Sequence, residues 1–171
     1  MNTGSGLLLS YSRYVLTSLG EQTLVFPDAF VREVLLIDRA SILALPFYNP
    51  AVLGIVHRQG AVIPLLLLRQ ALGQPKILVP ETLTVIHLTD LAQAIEGVGL
   101  VVDKLVGSVT LEQYEQMISR KLDSSQSISS KSDRSSGSIP DPDYIQIESL
   151  ISQIPSQIWQ PQRWHIQATP S

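Results

Sequence analysis

The fifteen residues Pro50-Ala51-Val52-Leu53-Gly54-Ile55-Val56-His57-Arg58-Gln59-Gly60-Ala61-Val62-Ile63-Pro64 decide the fold. Two runs, Gly54 to Arg58 and Ala61 onward to Leu67, flank the pair Gln59-Gly60, whose glycine can supply the positive φ of a tight turn. That is a β-hairpin. Pro64 cannot donate to a ladder, so it belongs at an edge or a bulge. Working outward, Arg13 to Leu19 and Gln22 to Phe26 repeat the pattern around Gly20-Glu21, and Thr82 to Leu88, Gly97 to Val102 and Leu105 to Val109 add further runs. Spacings of about 8 to 12 residues predict an all-β sandwich or barrel.

Helices are minor. Asp28 is placed to cap a short helical turn through Arg32, Pro46 and Pro50 bracket a bend, and Leu68 to Leu72 reads as a short helix stopped by Gly73. The clearest helix opens at Thr110, which forms a capping box with Gln113, and places Leu111, Tyr114, Ile118 and Leu122 on one face with Arg120 and Lys121 near its end. From Tyr144 to Ile154 the residues Ile147, Leu150, Ile151 and Ile154 again fall at helical spacing until Pro155, and Trp164-His165-Ile166 reads as a last strand or a docked tail.

The domain expected is a single unit over residues 10–155, with terminal tails 1–9 and 156–171. A serine-rich insertion over 124–140 interrupts it: nine serines stand between Ser124 and Ser138, with Ile128 the one large apolar residue. So little apolar surface cannot offset the entropy of ordering, and the segment reads as a disordered linker.

The 171 residues carry a net charge of −3, 44% hydrophobic residues and no cysteine. Without cysteine there is no disulfide scaffold, thiol nucleophile or iron–sulfur cluster. A pI near 5.5 with no basic block argues against a nucleic-acid partner. The longest apolar stretch, Ala61 to Leu68, is far short of the about 20 residues of a membrane span, and Leu7-Leu8-Leu9 lacks the flanks of a signal peptide. No direct membrane insertion is expected, and the chain reads as cytoplasmic.

Chemistry is sparse. His57, His87 and His165 are isolated, with no spacing that puts two imidazoles on one metal, so no metal site or cofactor is expected. His87, in a strand pattern, reads as a half-buried imidazole satisfied by one hydrogen bond. There is no G-x-S-x-G elbow, P-loop or dinucleotide fingerprint, and Gly97-Val98-Gly99 reads as a place of close backbone approach. Asp38, Asp90, Glu96 and Asp103 are dispersed, which gives general acid–base catalysis no support, so no catalytic residue is expected. Charged residues make up only 16% of the chain, which leaves apolar surface for a partner to cover and favours an interaction module over an enzyme.

Three stretches in order resemble the CheW family of chemotaxis coupling proteins. Tyr14-Val15-Leu16 through Gly20-Glu21-Gln22 to Val31-Arg32-Glu33-Val34 is similar to the family's opening hairpin and its V-x-E-[IV] signature. The stretch Pro50 to Pro64 resembles P-x-x-[VI]-x-G-V-x-N-L-R-G-x-[IV]-x-P, and Val98 to Gly107 resembles V-G-[LI]-x-V-D-x-V-x-G. The resemblance implies two small SH3-like five-stranded β-barrels packed together, with short helices at the C-terminal end. It further implies a non-catalytic adaptor that couples the cytoplasmic tip of a methyl-accepting receptor to the regulatory domain of a CheA-type histidine kinase. By the same resemblance the kinase- and receptor-binding residues are Val31, Glu33, Val34, Gly54, His57, Arg58, Gln59 and Gly60, with the surface around Gly99 and Asp103 added.

Two departures stand out. Where the family reads N-L-R-G this chain reads His57-Arg58-Gln59-Gly60, and an arginine moved by one residue on a strand faces the opposite side. Leu67 replaces the family's Asp ahead of Leu68-Arg69, which removes a polar partner near the inter-lobe region. These changes point to a divergent coupler of the PilI type, serving pilus-linked motility or a phototaxis-like system. Two alternatives stay open: a degenerate coupler that binds the kinase but not the receptor, and a stand-alone β-barrel that binds or hydrolyses a small molecule.

Overall fold

Each hairpin foreseen in the sequence forms where its turn chemistry puts it. In the computed structural model, which describes residues 11–75, 78–126 and 144–161 and the side chains of 121–126 excepted, β1 (Arg13–Leu19) turns at Gly20, φ +66°, into β2 (Gln22–Pro27). β4 (Val52–Arg58) turns through Gln59, φ +49°, and Gly60, φ +82°, into β5 (Ala61–Leu67). The remaining strands are β3 (Val31–Asp38), β6 (Thr82–Leu88), β7 (Gly99–Val102), β8 (Lys104–Thr110) and the short β9 (Tyr144–Gln146). They pair as two curled sheets, β8-β1-β2-β9 and β3-β6-β7-β5-β4.

The five-stranded sheet curls until its ends meet. Residues just past β3 reach β4, where Leu43 and Ile55 exchange both backbone hydrogen bonds at 2.9 Å. This spends the Ile55 backbone groups away from β5, so the opposing Pro64 loses no ladder bond by lacking an N–H. Leu35, Ile37, Val56, Ile63, Leu65, Leu83, Val85 and Val101 fill the inside of the curl. A larger core lies between the two sheets, where Leu19, Leu24 and Phe26 of one meet Leu66, Ile86, Leu88 and Leu100 of the other.

The helix at Thr110 is present as α2 (Leu111–Gln126), and the capping box is made: Gln113 N donates to Thr110 Oγ1 at 3.3 Å and Thr110 N to Gln113 Oε1 at 2.9 Å. It lays Tyr114 on the four-stranded sheet beside Tyr14 and Val25, opposite the inter-sheet core. α2 runs three residues into the serine-rich segment; the rest of that segment, residues 127–140, and Trp164-His165-Ile166 lie outside the described residues. The short helix α1 (Leu68–Ala71) follows β5 as expected.

Three expectations change. Asp28 caps nothing with its side chain, and its turn is a single 3-10 turn ending at Phe30, because Phe30 is buried and Val31 already begins a ladder with β6. Tyr144–Gln146 is a strand parallel to β2, and helix α3 is confined to Ile147–Ile151, because the pairing with Thr23–Val25 outweighs local helical periodicity. The folded part also continues past Pro155: Ser156–Trp159 forms a 3-10 turn that buries Ile158 in the inter-sheet core, so a tail beginning at 156 is too short a domain.

Candidate partner-binding surfaces

Strand register gathers most of the expected contact residues at one end of the five-stranded sheet. Glu33 pairs with His87, His87 with Gly99, Gly99 with Leu65 and Leu65 with Gly54, so one row crossing all five strands holds three of them. Val31 starts β3 at this same end, and the β4–β5 turn projects beyond the row. His57, Arg58, Gln59 and Gly60 are exposed there. His57 pairs with the exposed Val62 on the outer face, and Arg58 follows the inward parity of Val56 but leaves the mouth of the curl into solvent.

Glu33 is half-buried, and its Oε1 lies 3.2 Å from Nδ1 of the buried His87. The imidazole therefore has the single partner expected of it and fixes the carboxylate at the rim. Beside it, outward-facing Val34 is 38% and Leu36 71% exposed, an apolar strip on β3. Leu36 and Leu43, 65% exposed, were not singled out from the sequence; an outward leucine in the run Val34-Leu35-Leu36-Ile37 cannot be told from an inward one until the ladder fixes its face.

Two of the expected residues have no surface to offer. Gly54 is buried with φ +148°, and a Cβ there would overlap the carbonyl oxygen of Leu43, so only glycine lets the sheet close on β4. Gly99 is buried too, and a Cβ would come 2.6 Å from Val85 Cγ1 and 2.7 Å from Leu65 Cδ2. Both glycines shape the sheet that carries the surface. Gly60, by contrast, meets nothing within 4 Å and answers only to the turn.

Asp103 lies apart from the others, at the opposite end of β7. It is the single residue between β7 and β8, where the chain crosses from one sheet to the other. Its Oδ2 accepts from Arg69 Nη2 at 2.5 Å and from Gly20 N at 2.6 Å, and its Oδ1 from Arg69 Nε at 3.2 Å. Burial alone would raise its pKa; the bonds from Arg69 and Gly20 and the guanidinium charge outweigh that and hold it below the usual carboxylate value. The pair borders a groove of about 260 Å³ at this end of the five-stranded sheet's curl, walled by Leu67, Leu78, Val79, Leu83 and Val101, with Leu19, among the described residues, the one strand residue the other sheet contributes. Arg69 is the residue the sequence pattern passed over.

Among the described residues no three His, Asp or Glu side chains come together to hold a metal ion, and no helix is long and apolar enough to cross a membrane. Residues 13–142 match the family model described as the CheW-like domain. The chain belongs to the CheW-like domain family. No match was found among curated proteins. Among solved structures it is similar to the scaffolding protein TtCheW from Thermoanaerobacter tengcongensis, with 21% identity and a TM-score of 0.47 over 58% of this chain and 64% of that one. The chain thus spans less than two thirds of the length of that relative.

Proposed function

We propose that this chain is a non-catalytic cytoplasmic adaptor that couples a methyl-accepting receptor to a CheA-type histidine kinase, in a divergent system of the pilus-motility or phototaxis kind. The observation that carries the reading is the presence, in a CheW-like domain, of two chemically different surfaces at opposite ends of one sheet. At one end, exposed Val34 sits beside a carboxylate oriented by His87, on the end of the sheet that also carries the polar turn His57 to Gly60. Such a mixed rim suits the folded regulatory domain of the kinase. At the other end, the leucine- and valine-lined groove beside Asp103 suits the apolar side chains of a helical receptor tip. Coupling is then positional: the adaptor holds both partners in register.

Calorimetric titration with the regulatory domain of the CheA-type kinase encoded in the same genome tests the kinase arm. Micromolar binding, about −8 kcal/mol, is expected. Glu33→Lys should weaken it about tenfold by reversing charge at the rim, with an unchanged circular-dichroism spectrum. Equal affinity for the variant would reject this surface, and no binding by the folded wild-type protein would reject the adaptor reading.

A further inference from the structure

At the groove's edge Arg69, just past the five-stranded sheet, grips the turn of the other sheet through a shared carboxylate. Arg69 belongs to α1, directly after β5, while Gly20 is the turn of β1–β2. Asp103 bonds both, and its own N–H donates to Ser18 O at 2.9 Å. Arg69 Nη2 comes within 3.2 Å of the position a Gly20 Cβ would take, so the turn is closed directly onto the guanidinium. Leu67, where a carboxylate would compete for Arg69, is instead an apolar part of the groove wall.

Energetics separate position from stability here. The side chains of Arg69 and Asp103 are 22% and 31% exposed, a setting in which an ion pair contributes modestly to global stability. A guanidinium fork held by two bonds to one carboxylate nevertheless fixes direction as well as distance. Directional control at a groove edge is what a binding site needs.

We propose that the Arg69–Asp103 pair is a positioning latch, which pins the Gly20 turn to α1 and thereby sets the opening of the groove for the receptor tip; the last clause rests on the adaptor reading. Arg69 and Asp103 stand at the groove's edge themselves, and the latch acts by fixing the Gly20 turn beside them. The departure at Leu67 gains a role in this arrangement: it leaves the fork free to commit to Asp103.

Amide hydrogen exchange on the full chain tests the latch itself, with Arg69→Gln and Asp103→Asn compared with wild type. Exchange at Gly20 should rise at least tenfold in both variants, with the amides of β6 and β7 unchanged. In parallel, affinity for a receptor cytoplasmic-tip fragment should fall about tenfold, affinity for the kinase regulatory domain should hold, and Arg69→Lys should recover part of the tip affinity. Unchanged exchange at Gly20 overturns the latch, and raised exchange with unaltered tip affinity overturns its role in setting the groove. Wild-type protein that binds no tip fragment overturns the receptor reading alone, because the exchange data still judge the latch. Should Arg69→Gln fail to fold, Asp103→Asn alone gives the exchange comparison.

Discussion

Asp103 is where acid enters the structure. Its folded pKa lies below the ordinary carboxylate value because Arg69 and Gly20 bond the ionised form, against the opposing effect of burial. A depressed carboxylate contributes stability that is complete above the unfolded pKa, about 3.9, and is lost as pH falls through the folded value. Asp103→Asn should therefore cost about 1 kcal/mol at pH 7 in urea unfolding, as befits a partly exposed pair. The cost should shrink towards zero as acid protonates Asp103 in the wild type. A difference that stays constant down to the acid limit would show that Asp103 acts by shape rather than charge. The sequence motif around Val98 to Gly107 singled out Asp103, yet neither partner could be read from it: Arg69 lies 34 and Gly20 83 positions away, and nothing in local spacing encodes such a contact. Glu33 was legible in the same partial way, as a candidate without its histidine.

Elements were legible in proportion to how local their determinants are. α2 could be foreseen because Thr110 and Gln113 cap it within one turn and its apolar stripe has a single period. β9 could not, because its only reason to be extended is the ladder with β2, more than a hundred residues earlier in the chain. β3 was obscured by the run Val34-Leu35-Leu36-Ile37, which breaks the alternation that marks a strand. The role of α2 is equally dependent on distant residues. Tyr114, buried, sits with ring centroids 4.8 Å from Tyr14 of β1 and 6.3 Å from Tyr144 of β9, and so ties the helix across the open four-stranded sheet. Tyr114→Ala should cost about 3 kcal/mol in urea unfolding, the range for truncating a buried aromatic, while Tyr114→Phe should cost less than about 1. A negligible loss in the alanine variant would mean that the sheet does not depend on this face of α2.

At the scale of the molecule, the question is whether two partners fit on so small an adaptor. The row through Glu33 and the Asp103 crossover are separated by about four residues of β7, roughly 13 Å at the rise of a strand. The β4–β5 hairpin carries the first surface about as far again beyond that row. An ordinary protein interface covers about 800 Å² on each partner, a disc of roughly 16 Å radius. Two such discs lying side by side on one face would overlap; facing outward from opposite ends of the sheet, they do not. The proposed coupling, on this geometry, therefore predicts a ternary complex. Kinase regulatory domain titrated into adaptor already saturated with receptor-tip fragment should bind with an affinity within about threefold of that for the free adaptor, and sedimentation should show all three components together. Competition between the two partners would mean that they share a surface. Since Glu33→Lys should then weaken both, while independent ends require it to weaken the kinase alone, the same variant decides between the two arrangements.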